Sequence, residues 1–259
     1  MLECKELSYK VSGREILHKV SLTARDGEIT VLVGNNGSGK TTLIRSITAP
    51  HGLKRQIEGK ILVDGADTRL YTPRSLAMRV ALLPQTLPTP KMTVEELVTL
   101  GTEALCSPFS RISEESRRRV KEEIASLGLE RLAGVSLDRL SGGERQSAYF
   151  AMLLSKRAKN LILDEPDSNL DAKNRARLFS FLSKMKASGH AILTVLHDIT
   201  DAVAIADRIV VLDSGSVIFS GTPSEFERSD IPRDVFSLIS HRIDLGGDSV
   251  TVYRPISLR

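Results

Sequence analysis

Gly34-Asn35-Asn36-Gly37-Ser38-Gly39-Lys40-Thr41-Thr42 follows an apolar run, Ile29-Thr30-Val31-Leu32-Val33, and opens into Leu43-Ile44-Arg45-Ser46-Ile47, which has helical spacing. The pattern Gly34-x4-Gly39-Lys40-Thr41 fits a phosphate-binding P-loop in its strand–loop–helix setting. Glycines let the backbone curl until its N–H groups face an anion, and the helix N-terminus adds positive potential. Lys40 is placed to reach the outer phosphates, and the Thr41 hydroxyl to help hold Mg²⁺. An ordinary turn before a helix would need neither the lysine nor the full glycine spacing.

Composition bounds the rest. The 259 residues are 41% hydrophobic and 26% charged, an ordinary globular balance with room for one large domain or two small ones. A net charge of +4 suits anionic ligands or a membrane surface and is too mild to argue for nucleic acid. Cys4 and Cys106 are unpatterned, so neither a disulfide framework nor a zinc site is expected, and a reducing compartment is the plain inference. No apolar run approaches the roughly 20 residues that span a bilayer. The opening Met1-Leu2-Glu3-Cys4-Lys5-Glu6 lacks a signal-peptide core. A soluble chain is expected, one that reaches a membrane only by docking on another protein.

Residues 2–33 alternate β-prone runs with turns and read as antiparallel strands leading into the nucleotide core. Residues 57–64 and Val80-Ala81-Leu82-Leu83 add two further strands, the second ending at Pro84-Gln85. The texture changes after Gln85: Thr93-x-x-Glu96 is a capping-box pattern that starts a helix running to about Ala104, and Ser113 to Leu127 is a charged helix with one apolar face. Residues 86–157 therefore read as a helical insertion. Arg117-Arg118-Arg119 reads as its solvated face rather than as an anion site. Three buried-strand runs follow, at Leu161–Leu163, Ala191–Leu196 and Ile209–Leu212, separated by helical stretches as in parallel βαβ units. Asp213-Ser214-Gly215-Ser216 is a hairpin turn, and residues 222–259 read as an extension holding one helix and a short strand at Ser249–Tyr253. The division is 1–235 for the main domain and 236–259 for a C-terminal extension.

Asn160-Leu161-Ile162-Leu163-Asp164-Glu165-Pro166 ends an apolar strand with adjacent carboxylates. In a parallel sheet the strand C-terminal edge is where ligands bind, and the P-loop belongs to the same edge. Asp164 can then coordinate Mg²⁺ while Glu165 polarises the attacking water as general base. Leu140-Ser141-Gly142-Gly143-Glu144-Arg145-Gln146 has two readings: a capping box at a helix start, or a second anion-binding helix N-terminus.

That heptapeptide resembles the signature of ABC-type ATPases, and it precedes the acidic strand as that family requires. The resemblance then covers nearly the whole chain and implies an α/β P-loop fold: a mostly parallel central sheet flanked by helices, an antiparallel β subdomain and an inserted helical subdomain. Gln85 occupies the position that senses the γ-phosphate and Mg²⁺. Ser168-Asn169-Leu170-Asp171 resembles the D-loop, with Asp171 communicating across a dimer. His197 matches the switch histidine that contacts the γ-phosphate, and Tyr9 an aromatic residue that stacks on adenine; simple strand packing is the other reading of Tyr9. Asp167 stands where Thr is common, and Ser147-Ala148-Tyr149-Phe150 departs from the usual run after Gln146. Both departures touch the subfamily, not a catalytic group. The resemblance implies a head-to-tail dimer, in which ATP on Gly34–Thr42 of one subunit is covered by Ser141, Gly142, Gly143, Glu144 and Gln146 of another.

The stretch Met92 to Gly101 after Leu83-Pro84-Gln85 resembles ATPase subunits of importers for iron-siderophore, haem, cobalamin and other metal chelates. Integral membrane permease subunits, an extracytoplasmic substrate-binding protein and a site on the cytoplasmic face of the membrane are then implied. A soluble ABC ATPase of iron–sulfur cluster assembly is the alternative, since Asp167-Ser168 followed by Leu170-Asp171 resembles that group too. DNA-repair and chromosome ATPases carry long coiled coils or zinc insertions between P-loop and signature; only roughly a hundred residues, without sustained heptads, separate Lys40 from Ser141 here.

Overall fold

The computed structural model describes residues 1–53, 56–103, 112–168, 170–244 and 249–256. β1 (Leu2–Val11) and β2 (Arg14–Ala24) form a hairpin. Its two-residue turn, Ser12 (φ 49°) and Gly13 (φ 78°), has the positive φ at both positions that tight hairpins favour. β3 (Ile29–Val33) leads through the P-loop into α1 (Lys40–Thr48). β4 (Ile57–Val63) and the short β5 (Ala66–Asp67) join the hairpin, giving an antiparallel sheet ordered β2-β1-β4-β5. After α2 (Pro73–Ala77) and β6 (Val80–Leu83) comes the helical stretch: α3 (Val94–Glu103), α4 (Glu114–Ser126) and α5 (Gly142–Ser155). Thr93 does cap α3, its hydroxyl accepting from Glu96 N–H at 3.2 Å while Glu96 accepts from Thr93 N–H at 2.7 Å. Ala104, where that helix is expected to end, Cys106, and Asn169 of the D-loop lie outside the described residues.

β7 (Asn160–Asp164), α6 (Ala172–Ala187), β8 (Ala191–Val195), α7 (Ile199–Ile205) and β9 (Arg208–Asp213) complete the parallel part, and β10 (Ser216–Gly221) folds back antiparallel on β9. The main sheet is ordered β10-β9-β3-β8-β7-β6. Its strands alternate between two cores, as a sheet covered on both faces requires. Ile29, Val31, Val33, Leu161, Leu163, Ile192, Ile209 and Val211 face the helical stretch and α6. Leu32, Ile162, Leu193, Val195, Val210 and Leu212 face α1 and the antiparallel sheet. No helix among the described residues is long and apolar enough to cross a membrane.

The C-terminal part differs from expectation. Instead of one helix and one strand it contains two short helices, α8 (Pro223–Arg228) and α9 (Ile231–Asp234), and an antiparallel pair, β11 (Leu238–Asp244) with β12 (Ser249–Pro255). A lone strand would leave its backbone donors and acceptors unpaired. β11 supplies the missing ladder, and Leu238 and Tyr253, on one face of the pair, pack against the main core.

Candidate active site

Because β3, β8, β7 and β6 are neighbouring parallel strands, the segments leaving their C-terminal ends share one edge of the sheet. In that order they carry the P-loop, His197, Asp164 with Glu165, and Gln85. The sequence scatters these groups; the strand order brings them together.

In the P-loop, Gly37 and Gly39 have φ values of 80° and 107°, a region glycine enters without steric penalty. At Gly34 a Cβ atom would lie 2.1 Å from the Leu212 carbonyl oxygen and 2.8 Å from Ser38 Oγ, so only glycine lets the loop pass β9. A cavity of about 210 Å³ is lined by Asn36, Gly37, Ser38, Gly39, Lys40, Thr41 and Thr42, with Glu165 and Ile16. Lys40 is 6% exposed, and its ammonium donates to the Gly34 and Asn35 carbonyls at 2.7 and 3.1 Å. Burial pushes its pKa below the ordinary lysine value, with the Glu165 and Asp164 carboxylates pulling the other way. Asn35 faces elsewhere, donating from Nδ2 to the Val235 carbonyl at 3.1 Å beside α9.

Asp164 ends β7, and Glu165 takes φ 49°, which breaks the strand and lets the two acids diverge. Glu165 is 9% exposed and is the hub of the site. It accepts from Gln85 Nε2, and its Oε2 lies 2.7 Å from His197 Nε2. Asp164 Oδ1 is buried without a hydrogen-bond partner, and its pKa is raised, first by burial and then by Glu165, with Lys40 opposing. Among the described residues no three His, Cys, Asp or Glu side chains form a metal-binding group. Mg²⁺ is held by one or two carboxylates together with substrate phosphates. The donors near the loop (the Thr41 hydroxyl, the Gln85 amide oxygen and the orphaned Asp164 oxygen) are hard oxygens of the kind that ion takes.

The signature segment shows the capping box that one of its two readings named. Ser141 caps α5 in a full capping box with Glu144, and Gln146 Nε2 donates to the Pro166 carbonyl at 2.7 Å, tying the helix to the turn after Glu165. Tyr149 hydroxyl donates to the Pro88 carbonyl at 2.7 Å, tying it also to the segment after Gln85. Within one chain, however, Ser141, Gly142, Gly143 and Glu144 line a separate cleft of about 950 Å³ between α5 and α6, not the P-loop cavity. Asp171 caps α6, accepting from Asn174 N–H at 2.8 Å, and also lines that cleft. Tyr9 packs against the apolar core of the antiparallel sheet and does not line the P-loop cavity. Ile16, from the next strand, does line it; its place in an apolar β-run carries no functional signal. Asp167, in sequence only a departure from a common threonine, is a buried carboxylate, 8% exposed, behind His197.

A family model described as ABC transporter matches residues 17–168, more than half of the chain. The hemin import ATP-binding protein HmuV of Bradyrhizobium diazoefficiens is 33% identical over 255 residues, covering 94% of this chain and 92% of that protein. The iron(3+)-hydroxamate import ATP-binding protein FhuC of Bacillus subtilis is 31% identical over 239 residues, covering 92% and 88%. Among solved structures, an ABC transporter described as of metal-chelate type, in an inward-facing conformation, superposes with a TM-score of 0.84 over 99% of this chain and 97% of that one. At 23% identity that likeness is one of fold. With its P-loop, acidic strand end and signature helix set on that fold, the chain belongs to the ABC transporter family as an ATP-binding subunit, an ATPase.

Proposed function

We propose that this chain powers a membrane importer for an iron chelate or a similar small nutrient, binding and hydrolysing ATP as a head-to-tail dimer on the cytoplasmic face of the membrane. The observation that carries the chemistry is the Glu165 hub, held by Gln85 and His197 against the P-loop cavity. Lys40 and the loop N–H groups bind the phosphates, and Glu165 is the general base for the attacking water. His197 orients Glu165 and reaches the γ-phosphate, and Gln85 reports nucleotide to the helical subdomain. Thr41, Asp164 and Gln85 would hold a Mg²⁺ ion, which would supply neutralisation of phosphate charge when bound. The buried positions of Lys40 and Glu165 strengthen these electrostatic contacts by keeping water out.

The dimer is supported by the separation of Ser141 and Gly143 from their own chain's P-loop cavity, since a second copy must then bring them to the nucleotide. Importer function is supported by the relatives, which are import ATP-binding proteins for hemin and iron(3+)-hydroxamate, and they favour it over the iron–sulfur assembly alternative. Residues 86–118, in part outside the described residues, are the surface we assign to a permease, and an extracytoplasmic binding protein would complete the system. The 1–235 and 236–259 division keeps the nucleotide machinery in the first part.

The test is a pull-down of tagged Glu165→Gln from solubilised membranes with ATP and Mg²⁺, co-purified chains being identified by mass spectrometry. A polytopic membrane protein is expected. Soluble partners alone, from a preparation that retained its membranes, would move the assignment to cluster assembly.

A further inference from the structure

Tyr9, the aromatic residue that the family resemblance offered to the nucleotide base, is turned away from the P-loop. It pairs across the hairpin with Leu17, which is fully buried, and both pack in the core of the antiparallel sheet. Neighbouring residues of a strand point to opposite faces, so Ile16 turns the other way, and it lines the P-loop cavity. Backbone contacts fix it there. The Ser38 carbonyl accepts from Gly215 N–H at 3.0 Å, and the Gly215 carbonyl accepts from His18 N–H at 2.8 Å, so the turn between β9 and β10 ties β2 to the loop. The fit is close: a Cβ at Gly215 would lie 2.3 Å from the Ile16 carbonyl oxygen, and one at Gly39 would lie 2.9 Å from Leu17 Cδ2.

The sheet order gives the cavity a direction. β3 lies between β9 and β8, with β7 beyond β8. Glu165, after β7, therefore flanks the loop on one side, and Ile16, held by the β9–β10 turn, flanks it on the other. With Glu165 as the base for the attacking water, its side is the γ end of the triphosphate, and the nucleoside leaves the loop on the Ile16 side. Apart from the loop itself and Glu165, Ile16 is the only residue lining the cavity among the described residues, and none of the lining residues is aromatic. We propose that Ile16 is the platform for the nucleotide base, and that the substrate class is purine nucleoside triphosphates rather than ATP alone. Adenine and guanine differ in the hydrogen-bonding groups on their edges. Strong rejection of one for the other needs a partner for those groups, which an aliphatic side chain does not supply. The inference rests on the ATPase reading of Glu165 and the P-loop and adds to it the range of bases that the site accepts.

The experiment uses the full-length purified chain and the variants Ile16→Ala, Ile16→Val and Ile16→Trp. The readouts are kcat and KM for ATP and for GTP with Mg²⁺, and the inhibition constant of inorganic tripolyphosphate, which has no base. The wild-type kcat/KM values for ATP and GTP are expected to agree within about tenfold. Ile16→Ala should raise KM about fivefold for both nucleotides with kcat changed less than about twofold, the split expected when uniform binding is lost. Ile16→Val should stay near wild type, and Ile16→Trp should lower KM at least about fivefold for both by stacking on the base. Inhibition by tripolyphosphate should be the same in all four proteins. A side chain that merely supported the loop would weaken tripolyphosphate in step with ATP, and that result would overturn the proposal. So would a kcat/KM for ATP more than about tenfold above that for GTP, because the site would then contain a reader of the base edge. A wild-type chain that hydrolyses neither nucleotide would defeat the ATPase reading, while equilibrium dialysis with ATP and GTP would still report whether the site distinguishes the bases.

Discussion

The role proposed for Glu165 depends on a backbone detail. A non-glycine residue at φ 49° is uncommon, and here it turns the side chain from the strand direction into reach of Gln85 and His197. Glu165→Gln keeps the shape and one acceptor oxygen but no longer takes a proton. Turnover is expected to fall by about 10²–10⁴-fold, with ATP binding retained. Single-turnover hydrolysis beside filter binding checks this, and near-normal turnover would remove Glu165 as the base. A second residue-scale case concerns stability. Asp67 accepts from the Arg69 backbone N–H at 2.9 Å and pairs with its guanidinium at 2.5 Å, which holds its pKa below the ordinary carboxylate value. A depressed folded pKa contributes stability above the unfolded pKa and loses it as pH falls through the folded one. Asp67→Asn should therefore cost up to about 1 kcal/mol at pH 7. The gap from wild type should close below the carboxylate range, as thermal melts across pH would record. A gap that stays constant with pH would assign the loss to the cap instead.

Helix α5 is the element where scaffold and site meet. It is tied to the turn after Glu165 through Gln146 and to the segment after Gln85 through Tyr149, so its N-terminus moves with both. At its start a Cβ on Gly143 would lie 2.4 Å from Asn174 Oδ1 of α6. Gly143→Ala must displace the Asn174 side chain at the mouth of the cleft. ATP hydrolysis is expected to fall by at least about tenfold while the isolated chain binds nucleotide normally, on the proposal that Gly143 serves the partner's ATP. Because the clash is with one side chain, Asn174→Ala in the same chain should restore part of the activity. Lack of any restoration would mean that Gly143 acts through its backbone rather than through space. Farther down, Phe150 and Phe181 stack with ring centroids 4.2 Å apart, joining α5 to α6 at the floor of the cleft.

At the scale of the molecule, Ser141 and Gly143 line a different cavity from the P-loop. On the proposed head-to-tail arrangement, a pair related by a two-fold axis would complete both sites at once. Sedimentation of Glu165→Gln with ATP and Mg²⁺ should give a dimer, and Ser141→Arg in the same background should return it to monomer by blocking the signature helix N-terminus. A monomer in the first case would contradict the composite site. The C-terminal part is joined to this machinery through Asn35 and the Val235 carbonyl, a link across the chain that the sequence does not announce.

Much of this is legible in the sequence because it is local. The P-loop glycines, the acidic strand end, the capping box at Ser141 and the alternation of buried strands each encode backbone conformation within a few residues, and the order of strands and helices follows from periodicity. The C-terminal pair is only half visible there because β11, with polar residues between its apolar ones, is convincing only once β12 lies beside it. What tertiary structure alone decided was which groups meet. The neighbouring places of β3, β8, β7 and β6 put Lys40, His197, Glu165 and Gln85 at one edge, and burial left Asp167 beside the His197 backbone. Strand order and burial arise from packing between residues far apart in the chain, and short-range pattern carries no record of those distances.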